Sequence, residues 1–190
     1  MIKAICFDLD GVYFTAAGIH NFIDELVKLG ASKENAEFAV FKSPEMKNFK
    51  KGEISEEEYW NYIRTFLGIN KSVQEFRDLL VSGYEINQEV HQSVLKAKQN
   101  GYKTCICSNN FVSRVEALEN KFGFLKDFDS IIFSYKVGVL KPEKRIFEEL
   151  IKEANVLSQE LVYSDDSPEK LAGAIELGIN AFVYENFDLF

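Results

Sequence analysis

Short apolar runs alternate with helical segments through much of this chain, and that alternation limits the possible folds more tightly than any other feature. Strand-like runs fall at residues 3–7, 102–107, 130–133, 160–163 and 180–184. Apolar positions at helical spacing fill 90–100, 112–122, 143–154 and 169–177. A strand that feeds a helix and then another strand builds a parallel sheet, and such a sheet is covered by helices on both faces. The expectation is an α/β fold, a parallel sheet flanked by helices. Gly101, Gly123 and Gly178 each follow a helical pattern where a C-terminal stop belongs, and Pro142 and Pro168 stand just ahead of two helices, where a missing amide donor costs least.

Between the first two runs the alternation breaks. From about residue 16 to residue 87 the pattern is helical: Phe22, Leu26 and Leu29, then Tyr59, Tyr62, Ile63, Phe66 and Leu67, then Phe76, Leu79 and Leu80. This reads as a helical unit, residues 16–87, inserted into a core made of 1–15 and 88–190. Ser55-Glu56-Glu57-Glu58 has the form of a capping box opening the helix of Tyr59 and Trp60, and Lys50-Lys51-Gly52-Glu53 reads as an exposed turn. An insertion beside a reactive centre can serve as a lid that excludes water and selects substrate. Its aromatics, Phe38, Phe41, Phe49, Tyr59, Trp60 and Tyr62, either line a pocket or pack the insertion's own small core, and helical spacing alone predicts the second.

With 190 residues, 46% of them hydrophobic, the chain can bury one good core, or one core plus a small accessory unit. A net charge of −8 offers no basic field for a phosphate backbone, so nucleic acid is not an expected partner. Small anions stay open if a metal and a few local cations dominate a site. No stretch has the apolar length of a membrane span, so no membrane partner is expected, and Asp8 comes too early for a signal peptide; the expected compartment is the cytoplasm. Cys6, Cys105 and Cys107 lie in strand-like runs and read as buried, reduced thiols. The Cys105-Ile106-Cys107 triplet is read as pointing its sulfurs to opposite faces, a poor metal clamp. Oligomeric state is not legible, because an exposed apolar face of the insertion looks the same in sequence as a buried one.

Four polar groups follow strand-like runs, where open α/β sheets bind ligands. Asp8 and Asp10, in Phe7-Asp8-Leu9-Asp10-Gly11-Val12, are two residues apart, so both carboxylates can enter one crevice. Their repulsion is relieved by a cation or a shared proton, which points to a bound metal; a polar turn ending a buried strand is the plainer reading. Ser108-Asn109-Asn110 places a hydroxyl and amides before a helix, as an anion site or as an ordinary cap. Lys141-Pro142 supplies an ammonium that could offset phosphate charge. Asp165-Asp166 adds adjacent carboxylates suited to a hard cation, or to capping the helix that follows.

Taken in order, Asp8-Leu9-Asp10-Gly11-Val12, Ser108-Asn109, Lys141-Pro142 and Asp165-Asp166-Ser167 resemble the four-part signature of the haloacid dehalogenase (HAD) superfamily, along the whole chain. The resemblance implies a Rossmann-like core with an inserted small helical cap. Within that branch, residues 49–60 look similar to those of small sugar-phosphate phosphatases and of the phosphatase domain of epoxide hydrolases. It further implies a Mg²⁺-dependent phosphatase acting on a small phosphorylated metabolite, with Asp8 as nucleophile and Asp10 as general acid and base. Ser108 and Asn109 would hold the phosphoryl group, and Lys141 would stabilise it. Asp8, the Asp10 backbone carbonyl and Asp166 would bind Mg²⁺, with Asp165 the competing assignment. Lys170 departs from the pattern, standing where many relatives carry Asp or Asn. A phosphomutase uses the same core, and a non-catalytic binding protein could keep the fold without turnover.

Overall fold

The computed structural model describes residues 1–185. In chain order its elements are β1 (Ala4–Phe7), α1 (Ala17–Lys28), α2 (Lys33–Glu37), α3 (Pro44–Lys50), α4 (Glu56–Leu67), α5 (Val73–Ser82), α6 (Gln88–Gln99), β2 (Lys103–Ser108), α7 (Val112–Phe122), β3 (Ser130–Phe133), α8 (Ser134–Val137), α9 (Lys144–Ala154), β4 (Leu161–Asp165), α10 (Ala172–Glu176) and β5 (Asn180–Val183). The five strands form one sheet of order β3-β2-β1-β4-β5, and each neighbouring pair is parallel. The chain leaves the central strand β1 toward β2 and β3, then returns to β4 and β5 on the other side. Strand order therefore reverses at β1, and the crevice beyond its carboxyl end is the switch point at which such sheets bind ligands.

Both faces are covered, as the alternation predicts. On one, Phe7, Ile106 and Phe133 pack with Val90 and Val94 of α6 and with Val115 and Leu118 of α7. On the other, Ala4, Cys6, Cys105, Cys107, Leu161 and Tyr163 meet Ile146, Phe147 and Leu150 of α9 and Ala174 of α10. Each fully buried aliphatic or phenyl side chain contributes about 1.5–3 kcal/mol. Cys105 and Cys107 thus share a face, contrary to the sequence reading: the side-chain period of a strand is two, so the ends of a C-x-C triplet point the same way. All three thiols are buried and free, and burial raises their pKa values, to about 12 for Cys105 and Cys107.

The helix expected at 169–177 is shorter. A 3₁₀ turn at Pro168–Lys170 precedes the five residues of α10, with Lys170 N–H donating to the Ser167 carbonyl at 3.0 Å. The Lys170 ammonium lies 3.6 Å from Asp166 Oδ1.

In the inserted block, α4 begins with the expected capping box: Ser55 Oγ accepts from Glu58 N–H, and Glu58 accepts from Ser55 N–H at 2.7 Å. Phe49, Tyr59 and Trp60 are buried, with Phe49 stacked on Tyr59 at 4.8 Å and Trp60 on Phe76 at 4.8 Å. This is not a core of the insertion alone. Phe49 also packs on Phe111 at 4.9 Å, and Trp60 Nε1–H donates to Ser113 at 3.2 Å, so the insertion's apolar interior runs into that of α7. Phe41 instead lines the cavity described next, and Phe38 packs against Phe66 near the surface.

Candidate active site

Three adjacent parallel strands end in polar residues, which sets the site. Asp8 follows β1, Ser108 is the last residue of β2, and Asp165 is the last of β4. A cavity of about 380 Å³ opens above them, lined by Asp8, Asp10, Ser108, Asn109 and Lys170 on one side and by Val40, Phe41 and Lys50 of the insertion on the other.

Behind Asp8, the Lys141 side chain is fully buried, and its ammonium lies 3.0 Å from Asp8 Oδ1 and 2.6 Å from Asp165 Oδ2. It also donates to the Tyr163 hydroxyl at 2.8 Å and to the Cys107 carbonyl at 3.0 Å. Burial works against that charge, yet Asp8 and Asp165 outweigh it and raise the lysine's pKa. Burial also raises the Asp8 pKa, with Lys141 opposing it, whereas Lys141 and Lys170 overcome burial at Asp165 and lower its pKa. Asp8 Oδ1 is further fixed by Leu9 N–H at 2.7 Å, while Oδ2 lies 3.7 Å from the Lys170 ammonium. Replacing Lys141 with Met should strand two buried carboxylates and destabilise the fold by about 3–5 kcal/mol near neutral pH. The loss should shrink as pH falls from neutral into the acid range, because burial no longer opposed by Lys141 favours the protonated form of both carboxyls in the variant. Urea unfolding of both proteins across that range measures it, and an unchanged midpoint at pH 7 contradicts it.

Asn109 is tied to the same lysine through the main chain: its Oδ1 accepts from Lys141 N–H at 2.8 Å and its Nδ2 donates to the Lys141 carbonyl at 3.1 Å. Its side chain therefore anchors the loop carrying Lys141. Asp165 is fully buried and committed to Lys141, Tyr163 and Ser167 N–H. Asp166 is exposed, and Gly11 makes room for it: a Cβ on Gly11, at φ +80°, would clash with Asp166 Oδ2.

The donor set suits a hard cation. Asp8, Asp165 and Asp166 each present a carboxylate oxygen, all within 4.8 Å of one another, and all-oxygen sites of this type favour Mg²⁺, Mn²⁺ or Ca²⁺. Burial raises the pKa of Asp166 too, and Asp8 adds repulsion that a dication would relieve.

A family model for haloacid dehalogenase-like hydrolases matches residues 2–178. The chain belongs to that family. Among its HAD relatives, D-ribitol-5-phosphate phosphatase of Bacteroides thetaiotaomicron is 22% identical over 98% of this chain and 93% of its own. Bifunctional epoxide hydrolase 2 of Mus musculus is 26% identical over 62% of this chain, a match that spans 22% of the mouse protein. In structure, a HAD family enzyme of B. thetaiotaomicron, solved in complex with magnesium and inorganic phosphate, superposes with a TM-score of 0.83 at 23% identity, covering 100% of this chain and 98% of that one.

Three residues of this HAD site escaped the sequence reading. Asp10 is held on both oxygens, by Tyr84 O–H at 2.7 Å and by Arg114 at 2.9 Å. Arg114, itself buried, is anchored by Asn110 Oδ1 at 2.7 Å and lies over the Phe111 ring at 4.8 Å. Its signal was a charged residue on the apolar face of α7, between Phe111 and Leu118. Tyr84 left a fainter one in Gly18 of α1, where a Cβ would fall 2.4 Å from the tyrosine ring. Lys50 contradicts the exposed-turn reading. It closes α3, lies half-buried and lines the cavity, where burial and the Arg114 charge lower its pKa to about 8.

Proposed function

We propose that this chain is a Mg²⁺-dependent phosphatase that hydrolyses a small phosphomonoester, of the sugar-phosphate class, through an aspartyl-phosphate on Asp8. One observation carries the reading: Asp8, on the floor of a polar cavity, is pinned by a buried lysine, shares a carboxylate cation site with Asp165 and Asp166, and lines the cavity together with Asp10. The cavity's volume suits a small metabolite, and a relative named for a sugar-alcohol phosphate aligns along nearly the whole chain.

In this reading an Asp8 oxygen attacks phosphorus, the ester P–O bond breaks, and Asp10 passes a proton to the departing oxygen. Asp10 then takes a proton from water as that water attacks phosphorus, releasing phosphate and restoring Asp8. Ser108 and Asn109, which line the cavity beside Asp8, hold the phosphoryl oxygens, and Lys141 balances charge behind the nucleophile. Asp8, the Asp10 backbone carbonyl and Asp166 would hold Mg²⁺, which supplies charge neutralisation at the phosphoryl oxygens. The engagement of Asp165 with Lys141 favours Asp166 as the direct ligand. Asp10 must trade its contacts with Tyr84 and Arg114 for the substrate before it can act.

Hydrolysis of p-nitrophenyl phosphate with Mg²⁺, abolished by excess chelator, tests the reading; folded protein inactive at every pH would refute it. A panel of phosphorylated metabolites then identifies the ester. Lys50 adds a pH signature. It is cationic below about pH 8 and neutral above it, so kcat/KM for a dianionic ester should fall as pH rises through about 8. Lys50→Met should flatten that limb, and a profile unchanged by the substitution would exclude Lys50 from substrate binding.

A further inference from the structure

The carboxylate cluster of the candidate cation site already holds a cation of the chain's own. Lys170 Nζ lies 3.7 Å from Asp8 Oδ2, 3.5 Å from Asp165 Oδ1 and 3.6 Å from Asp166 Oδ1. Those near-equal separations place it among the same three carboxylates that form the candidate metal site. Its contacts differ in kind from those of Lys141. All three exceed the roughly 2.7–2.9 Å of a charge-assisted hydrogen bond, whereas Lys141 reaches Asp165 at 2.6 Å. The Lys170 side chain is 27% exposed and that of Lys141 is 0%. One lysine is fixed within the core; the other is loosely held and has a path to solvent.

We infer that Lys170 is a tethered counter-cation: its ammonium neutralises the carboxylate cluster in the metal-free protein, competes with the divalent ion for it, and withdraws when the ion enters. An ammonium and a dication cannot both occupy one cluster without strong repulsion, so ion binding must move Lys170. The 3₁₀ turn that carries it sits at the cavity wall, and Lys170 lines the cavity, so the displaced ammonium stays beside the space a phosphoryl group would fill. The carboxylates avoid mutual repulsion in the absence of metal, and the ion binds more weakly than the same acids would bind it alone. Lys170 is thus a positioning residue acting through the metal ligands. This inference rests on the cation-site reading above and adds the competitor within it.

Binding of Mn²⁺ to the full chain, followed by the electron paramagnetic resonance of the free ion and by displacement with Mg²⁺, tests it without any assay of turnover. A unit charge about 5 Å from a dication in a water-like dielectric changes its binding roughly tenfold. Lys170→Gln should therefore bind Mn²⁺ about tenfold more tightly than wild type, while Lys170→Arg, which keeps the charge, should stay near wild type. Asp166→Ala should bind at least tenfold more weakly in either background. Circular dichroism checks each fold, and Lys170→Met serves if the Gln variant does not fold. Equal or weaker affinity in the uncharged variants overturns the counter-cation role and leaves the phosphatase reading standing. Failure of every variant, wild type included, to bind the ion overturns both.

Discussion

Asp8→Asn is expected to remove turnover on every phosphomonoester while the protein stays folded. The amide matches the carboxylate in shape and can still accept from Leu9 N–H, and Lys141 keeps Asp165 as its charged partner at 2.6 Å. What disappears is the nucleophile. Loss of a covalent nucleophile typically costs a factor on the order of 10⁴–10⁶ in kcat. The observable is steady-state hydrolysis beside a thermal melt of the same sample. Residual turnover above about a hundredth of the wild-type rate removes Asp8 from the nucleophile's role.

Asp10→Asn should slow hydrolysis by roughly 10²–10⁴-fold, the usual worth of a positioned general acid and base. The effect should depend on the leaving group. An alkyl phosphate needs its departing oxygen protonated, whereas p-nitrophenolate leaves unaided, so the first step of the activated ester should suffer much less. Tyr84 O–H can still donate to the amide oxygen as it does to the carboxylate at 2.7 Å, but Arg114 loses its carboxylate partner at 2.9 Å, so a thermal melt of the same sample separates lost stability from lost proton transfer. Equal slowing of both ester classes in their first step would assign Asp10 to holding structure rather than moving protons.

What could be read from the sequence follows the range of the physics involved. Strand ends are local: an apolar run stopped by Asp8, Ser108 or Asp165 declares itself within a few residues, and the α/β architecture follows from the order of such runs. The helical insertion was legible for the same reason. The facing of Cys105 and Cys107 is a local period of two and was misread although legible, whereas the other misread features depend on groups far apart in the chain. Arg114 and Tyr84 meet at Asp10 only after α7 and the end of the insertion have packed, and no local pattern links positions 10, 84 and 114. Lys50 looked like a solvated turn because Lys-Lys-Gly-Glu is polar, yet its main chain is docked to the core, the Lys50 carbonyl accepting from Ser134 Oγ at 2.6 Å. The insertion's aromatics were legible as packing residues, but their continuity with Phe111 and Ser113 was not, because helical spacing says which face is buried and not against what. Asn109 shows a finer limit. Its position at a strand end was plain, but its side chain serves the Lys141 main chain.

The central claim is that an oxygen of Asp8 becomes bonded to phosphorus during turnover. Rapid acid quenching of the enzyme with a ³²P-labelled substrate ester, followed by peptide mapping, examines that bond directly. The expected result is an acid-stable, hydroxylamine-labile label on the peptide containing Asp8, present within the first turnover and absent from Asp8→Asn. Product formation without label on that peptide at any quench time, or label on another residue, would contradict the account.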